Sequence, residues 1–102
     1  MAEAADLTPE DAKLLTLARA TRARTQSSQG AAVRDLDGRT YAAARFDLPS
    51  LKVSAVQVCV AMAVASGARG LEAVVVFGDE PDDADLAAVA EFAGPDVPVH
   101  VL

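Results

Sequence analysis

Residues Leu71–Gly78 read LEAVVVFG, an almost unbroken apolar and β-branched run. A strand with one wetted face alternates apolar and polar residues, whereas a continuous run of this length must be covered on both faces. The segment therefore demands a sheet with helices on either side. The rest of the chain supplies them. Thr8 is a good N-cap, Pro9 follows at the first helical position, and Asp11 comes close to completing a capping box. Leu14, Leu15, Leu17, Ala18 and Ala20 then form an apolar stripe, and the polar run at 25–30 ends this first helix.

Residues 31–34 and 40–46 read as two strands around Asp35-Leu36-Asp37-Gly38, where Asp-Gly signals a hairpin. Pro49 breaks the chain, and Ser50 is the expected N-cap of a second helix over 51–66, apolar nearly all round and stopped by Gly67. A helix without a polar face is covered on more than one side, by the sheet and by another helix or subunit. A third helix near Asp83–Ala93 ends at Gly94-Pro95, and Val97, Val99 and Val101 alternate with Pro98, His100 and Leu102 as a last strand. The order α-β-β-α-β-α-β predicts right-handed crossovers with parallel pairing in the second half and an antiparallel hairpin at the edge.

At 102 residues and 52% hydrophobic, the chain has material for one core, expected to span residues 1–102 as a single domain. With four aromatics and no Trp, that core is built from small and β-branched side chains. The net charge of −6 lies wholly in residues 51–102, which hold eight acids and two bases. Five of those acids are Asp79, Glu80, Asp82, Asp83 and Asp85. Such a balance argues against nucleic acid and membrane surfaces as partners, since both are gripped by clustered Lys and Arg. One cysteine, an acidic start and no long apolar stretch predict a cytoplasmic protein without disulfides.

Several segments resemble the cytidine deaminase family of small zinc nucleoside deaminases. Gly30-Ala31-Ala32 is similar to that family's Val-Gly-Ala-Ala strand, and residues 37–41 (DGRTY) to its hairpin. Residues 54–60 (SAVQVCV) fall without a gap on its Cys-Ala-Glu-Arg-x-Ala-Ile, and 63–67 (AVASG) on the Ala-Val-Ser-x-Gly that follows. Residues 81–85 (PDDAD) fall on its Pro-Cys-Gly-x-Cys. The resemblance covers roughly residues 10–102 and implies a three-layer α/β/α fold with a mixed sheet of about four strands.

It also implies what is absent. A zinc deaminase holds its metal on one His or Cys and two Cys, with a Glu to move protons. Carried over by position, the first ligand is Ser54, the proton shuttle is Val56, and the loop thiolates are Asp82 and Asp85. A hydroxyl and two carboxylates suit zinc poorly, and Val moves no proton. The family's ribose-gripping Asn-x-Glu falls on Arg45 and Asp47, and an aromatic that could stack on a base falls on Ser27. The expectation is a catalytically inactive relative without a cofactor, retained for binding or assembly and homo-oligomeric through its apolar second helix. Two alternatives stand beside it: a divergent nucleoside deaminase, with zinc, and a non-catalytic nucleoside sensor. Any small-molecule ligand is unknown.

The remaining signals have structural readings. Asp79–Asp85 are expected to cap and complement the third helix. Cys59 is expected in the core and His100 at a surface or edge. Arg19, Arg22 and Arg24 are expected to serve the helix end and pair with nearby acids.

Overall fold

The computed structural model describes residues 7–102; the acidic start at 1–6 lies outside them. The elements are α1 (Pro9–Thr25), β1 (Gln29–Asp35), β2 (Thr40–Ala44), β3 (Phe46–Leu48), β4 (Leu51–Val53), α2 (Ala55–Ala65), β5 (Leu71–Gly78), α3 (Asp83–Ala93) and β6 (Val99–Val101). Four strands form a mixed sheet in the order β2-β1-β5-β6, with β1 antiparallel to both β2 and β5, and β5 parallel to β6.

The apolar run of β5 does what its pattern requires. Successive side chains point to opposite faces, so Ala73 and Val75 pack with Leu14, Leu15 and Ala18 of α1. Val74 and Val76 face the other way, onto Val56, Cys59, Val60 and Ala63 of α2 and Val89 of α3. β1 repeats the division, with Ala32 toward α1 and Ala31 and Val33 toward α2. The result is a three-layer α/β/α fold.

Small residues set how closely the layers approach. A Cβ on Gly30 would lie 2.2 Å from the Ala18 carbonyl oxygen and 2.9 Å from the Arg22 Cβ. Neither backbone can yield cheaply, so Gly30→Ala should cost about 3 kcal/mol, the upper end for overpacking. Urea unfolding of the two chains measures it directly.

Three expectations are corrected. The parallel neighbour of β5 is β6 alone: β2 runs in the same direction as β5, but β1 lies between them. The second strand ends at Ala44, and after Arg45 the chain forms a separate hairpin in which β3 pairs antiparallel with β4. Pro49 and Ser50 are its turn, so Ser50 caps no helix and residues 51–53 are extended. Apolar residues at 51 and 53 fit a strand and a helix start equally well. At the N-terminus of α1, Thr8 does cap by accepting from the Asp11 N–H. The Asp11 carboxylate, however, turns away to Arg34 Nη2 at 2.9 Å and His100 Nε2 at 3.2 Å. Arg34 also reaches Glu72, at 3.7 Å. His100 thus stands on the edge strand β6, as expected, but with an acidic partner.

The expectation for the basic residues of α1 is corrected in part: Arg22 and Arg24 do stand in its last turn, but no described carboxylate pairs with Arg19, Arg22 or Arg24. Arg19 and Arg22 lie over the Phe77 ring, 5.0 and 5.3 Å from its centroid, and Arg24 meets the Thr21 hydroxyl. Cation–π contact takes the place of the expected carboxylates because Phe77, next to last in β5, packs on the α1 side of the sheet.

The hairpin between β1 and β2 is held by Asp35, which is fully buried. Its carboxylate accepts from the Asp37 and Arg39 amides, from Arg39 Nε and from the Tyr41 hydroxyl, each at 2.9 Å. Burial alone would raise its pKa, but the Tyr41, Arg39 and Asp37 hydrogen bonds and the Arg39 charge overcome it and hold the carboxyl below the usual 3.8. With the folded value below the unfolded one, the stabilisation is complete above that range and is lost as pH falls through it. Asp35→Asn should therefore flatten the acid limb of a melting-temperature profile between about pH 5 and 2.

Candidate functional site

Two helices begin at the same place. Ser54 caps α2 by accepting from the Gln57 amide at 3.0 Å, while the Gln57 side chain accepts from the Ser54 N–H at 3.1 Å. Asp82 caps α3 in the same reciprocal way, its carboxylate accepting from the Asp85 amide at 2.9 Å and the Asp85 carboxylate accepting from the Asp82 N–H at 3.1 Å. Both are complete capping boxes. The Ser-x-x-Gln at 54–57 before an apolar run was the sequence signal for the true start of α2.

The two caps are joined. The Ser54 hydroxyl donates to Asp85 Oδ1 at 2.6 Å, with Ser54 5% and Asp85 1% exposed. A short O–H···O⁻ bond in a dry setting is among the stronger neutral-to-charged contacts a protein makes. Each oxygen of the Asp85 carboxylate thus already holds a donor. Buried Gln29 braces the junction, its side-chain oxygen accepting from the Ala55 amide and its side-chain nitrogen donating to the Asp79 carbonyl, both at 2.9 Å. Nothing in the sequence pattern singled out Gln29, because an amide at the start of a strand is ordinarily exposed.

The four positions that the sequence resemblance assigns to deaminase chemistry behave as follows. Ser54, Asp82 and Asp85 come together, but their oxygens serve helix caps and one another. Val56 is 1% exposed and packs in the core between α2 and the sheet. Zinc does not fit this donor set: there is no thiolate or imidazole, and the carboxylates are committed to N–H and O–H donors. Among the described residues no three His, Cys, Asp or Glu side chains converge as a metal cluster.

Beside Ser54 lies a cavity of about 250 Å³ lined by Arg45, Phe46, Asp47, Lys52 and Val53. Arg45 sits in the break between β2 and β3, its Nε buried and without a hydrogen-bond partner. Asp47 and Lys52 face each other across the β3–β4 pair at 3.8 Å. Ser27 turns its hydroxyl to the Arg45 carbonyl at 2.7 Å, pinning the backbone at that break.

Cys59 plays no part in this region. Its Sγ lies 3.5 Å from the Ala31 carbonyl in the core, and burial pushes its thiol up to about 12. Almost no thiolate exists near neutrality. A thiol-specific disulfide reagent at pH 8 should therefore label the folded chain only at its unfolding rate, and the denatured chain at once.

A second apolar surface borders the cavity. Phe46, Leu51 and Val53 of the small hairpin and Val58, Ala61 and Met62 of α2 line a groove of about 380 Å³. Val64 on the same helix is about half exposed. No helix among the described residues is long and apolar enough to cross a membrane.

Comparison with known proteins agrees with this architecture. A cytidine deaminase from Burkholderia pseudomallei superposes with a TM-score of 0.79 at 22% identity, covering 94% of this chain and 87% of its own. One from Mycobacterium leprae gives 0.68 at 23%, covering 82% and 83%. At such identities the likeness is one of fold. No curated protein matched in a sequence search. The family model described as cytidine deaminase-like matches residues 7–102, and the chain belongs to the cytidine deaminase-like family.

Proposed function

We infer that this chain is a catalytically inactive member of its family, kept for binding or assembly and working without a cofactor. The observation that carries the reading is the Ser54–Asp85 hydrogen bond: where the family's resemblance places metal ligands, two helix caps are tied directly together. Val56 at the proton-shuttle position, with its side chain in the core, supports it. Elemental analysis of the purified chain should find no stoichiometric zinc. One zinc per chain would overturn the reading.

Assembly is proposed through the outer face of α2 and the β3–β4 hairpin, where Phe46, Leu51 and Val64 leave apolar surface exposed. Two copies of this chain could each cover it, and light scattering at working concentration should give a homo-oligomer. A strict monomer would count against that.

A second reading has its own observation. Arg45 and Asp47, the two positions carried over for the family's ribose grip, line one cavity beside Ser54, which supports this reading. A nucleoside could be held there without reaction, as in a sensor. Calorimetric titration with cytidine, uridine and their phosphates decides it: heat abolished by Arg45→Ala supports the sensor, and silence for all of them removes it.

A further inference from the structure

β2 stands at one edge of the four-stranded sheet, with β1 on one side and no strand on the other among the described residues. The β3–β4 hairpin that follows it pairs only within itself. Both ends of β2 continue into described chain, so the fold on either side fixes this edge. Toward β1, the Arg45 amide donates to the Gln29 carbonyl, and the Arg39 carbonyl accepts from the Asp35 amide. Residues of an antiparallel pair alternate between bonding across and pointing away. In this register Tyr41, Ala43 and Arg45 bond toward β1, and the N–H and C=O of Thr40, Ala42 and Ala44 point outward. Unpaired edge groups are a template for another strand.

A groove of about 440 Å³ runs along that edge, with Ala42, Ala43 and Ala44 as its floor. Thr25 and Gln26, at the end of α1, wall it on one face of the sheet, and Val58 and Met62 of α2 wall it on the other. It is therefore concave around the edge. A second copy would bring the same two walls against these, whereas a lone extended segment meets none. Arg45 is the one charged residue that lines the groove. Asp47, the acid nearest to it in sequence, faces Lys52, and the Arg45 side chain has no carboxylate partner among the described residues.

We propose that the β2 edge accepts an extended segment of a partner protein as a fifth, antiparallel strand, carrying an acid and an apolar residue two positions apart on the side that faces α2. Residues directly opposite each other on paired strands share a face. The residue opposite Ala43 points with it toward α2, where Val58 and Met62 take an apolar side chain. The residue opposite Arg45 comes two positions earlier in an antiparallel segment and lies on the same face, so an acid there meets the unpaired guanidinium. The residue between them exchanges backbone hydrogen bonds with Ala44 and turns its side chain to the Thr25 and Gln26 wall. Backbone pairing supplies the affinity, and the α2 side supplies the selection. The edge is the same whether or not the chain retains any catalysis, so the proposal stands apart from the reading above.

The test uses the isotope-labelled full chain and the capped pentapeptide Glu-Thr-Leu-Thr-Val, with a version in which Lys replaces the Glu. The Glu peptide should shift the amide resonances of Ala42, Ala44, Val58 and Met62 and slow exchange at Ala42 and Ala44 by about tenfold at saturation. The Lys version should bind about threefold more weakly or worse, and Arg45→Glu should reverse that order. Methylating both Thr nitrogens of the peptide removes the donors to the Ala42 and Ala44 carbonyls and should abolish binding. Methylating the Leu nitrogen, which points away from β2, should leave most of it. The proposal is overturned by no response at Ala42 and Ala44 up to millimolar Glu peptide, by equal binding of the Lys version, or by equal binding of the two methylated peptides. Exchange at Ala42 and Ala44 that slows with protein concentration alone would put a second copy on the edge and contradict it equally.

Discussion

Asp85→Ala is expected to cost about 3 kcal/mol of stability, among the largest single losses available in this chain outside overpacking. The carboxylate is buried and carries two different jobs: it accepts from the Ser54 hydroxyl and from the Asp82 amide. Removing it leaves both donors without partners in a dry place, and an unsatisfied buried donor costs about 1 to 3 kcal/mol. It also breaks the capping box of α3. Ser54→Ala removes one donor and one cap, for about 1 to 2 kcal/mol. Because the two side chains touch, the double variant should fall short of the sum by about 1 kcal/mol or more. Denaturant unfolding of the four chains measures the cycle, and strict additivity would mean that the hydrogen bond does not join the caps.

The second large effect is a gain. Ser54, Asp82 and Asp85 already bring their side chains together at two helix N-termini, where N–H groups favour thiolates. The triple variant Ser54→Cys, Asp82→Cys, Asp85→Cys should bind one zinc per chain, against none for the parent. Thiolate affinity for zinc is large enough to offset the lost caps, at about 10 kcal/mol or more in structural sites. Val56 still stands at the position that the resemblance assigns to the proton shuttle, so this metal-loaded chain should remain inactive toward cytidine. Adding Val56→Glu places a proton-transferring group at the start of α2 and is expected to be needed for any turnover. Zinc content by elemental analysis and uridine release separate the two steps.

Much of this was legible in the residues, and for physical reasons. The β5 run could be covered in only one way, so the three layers followed from one segment. The caps at Thr8 and Asp82, the Asp-Gly hairpin and the Gly67 stop are local chemistry, and local chemistry is what a sequence writes most plainly. The β3–β4 hairpin was hidden because three-residue strands carry too few side chains to show a period. The position of β1 between β2 and β5 is a matter of tertiary packing, which no local pattern states. Arg19 and Arg22 found Phe77, distant in sequence, in preference to the nearer acids.

The site divides in the same way. The identities at Ser54, Val56, Asp82 and Asp85 pointed to lost metal chemistry through resemblance. Their new arrangement could not be read from the sequence: Ser54 and Asp85 lie 31 positions apart, and their contact exists only because two helices start at the same point. The role of Gln29 as the brace between the Ala55 amide and the Asp79 carbonyl was equally invisible.

The most direct test of the central reading is uridine release from cytidine by the purified chain, with zinc added in excess. The account gives a rate no higher than that of buffer alone. Saturable turnover by the parent chain, abolished by Asp82→Ala, would contradict it.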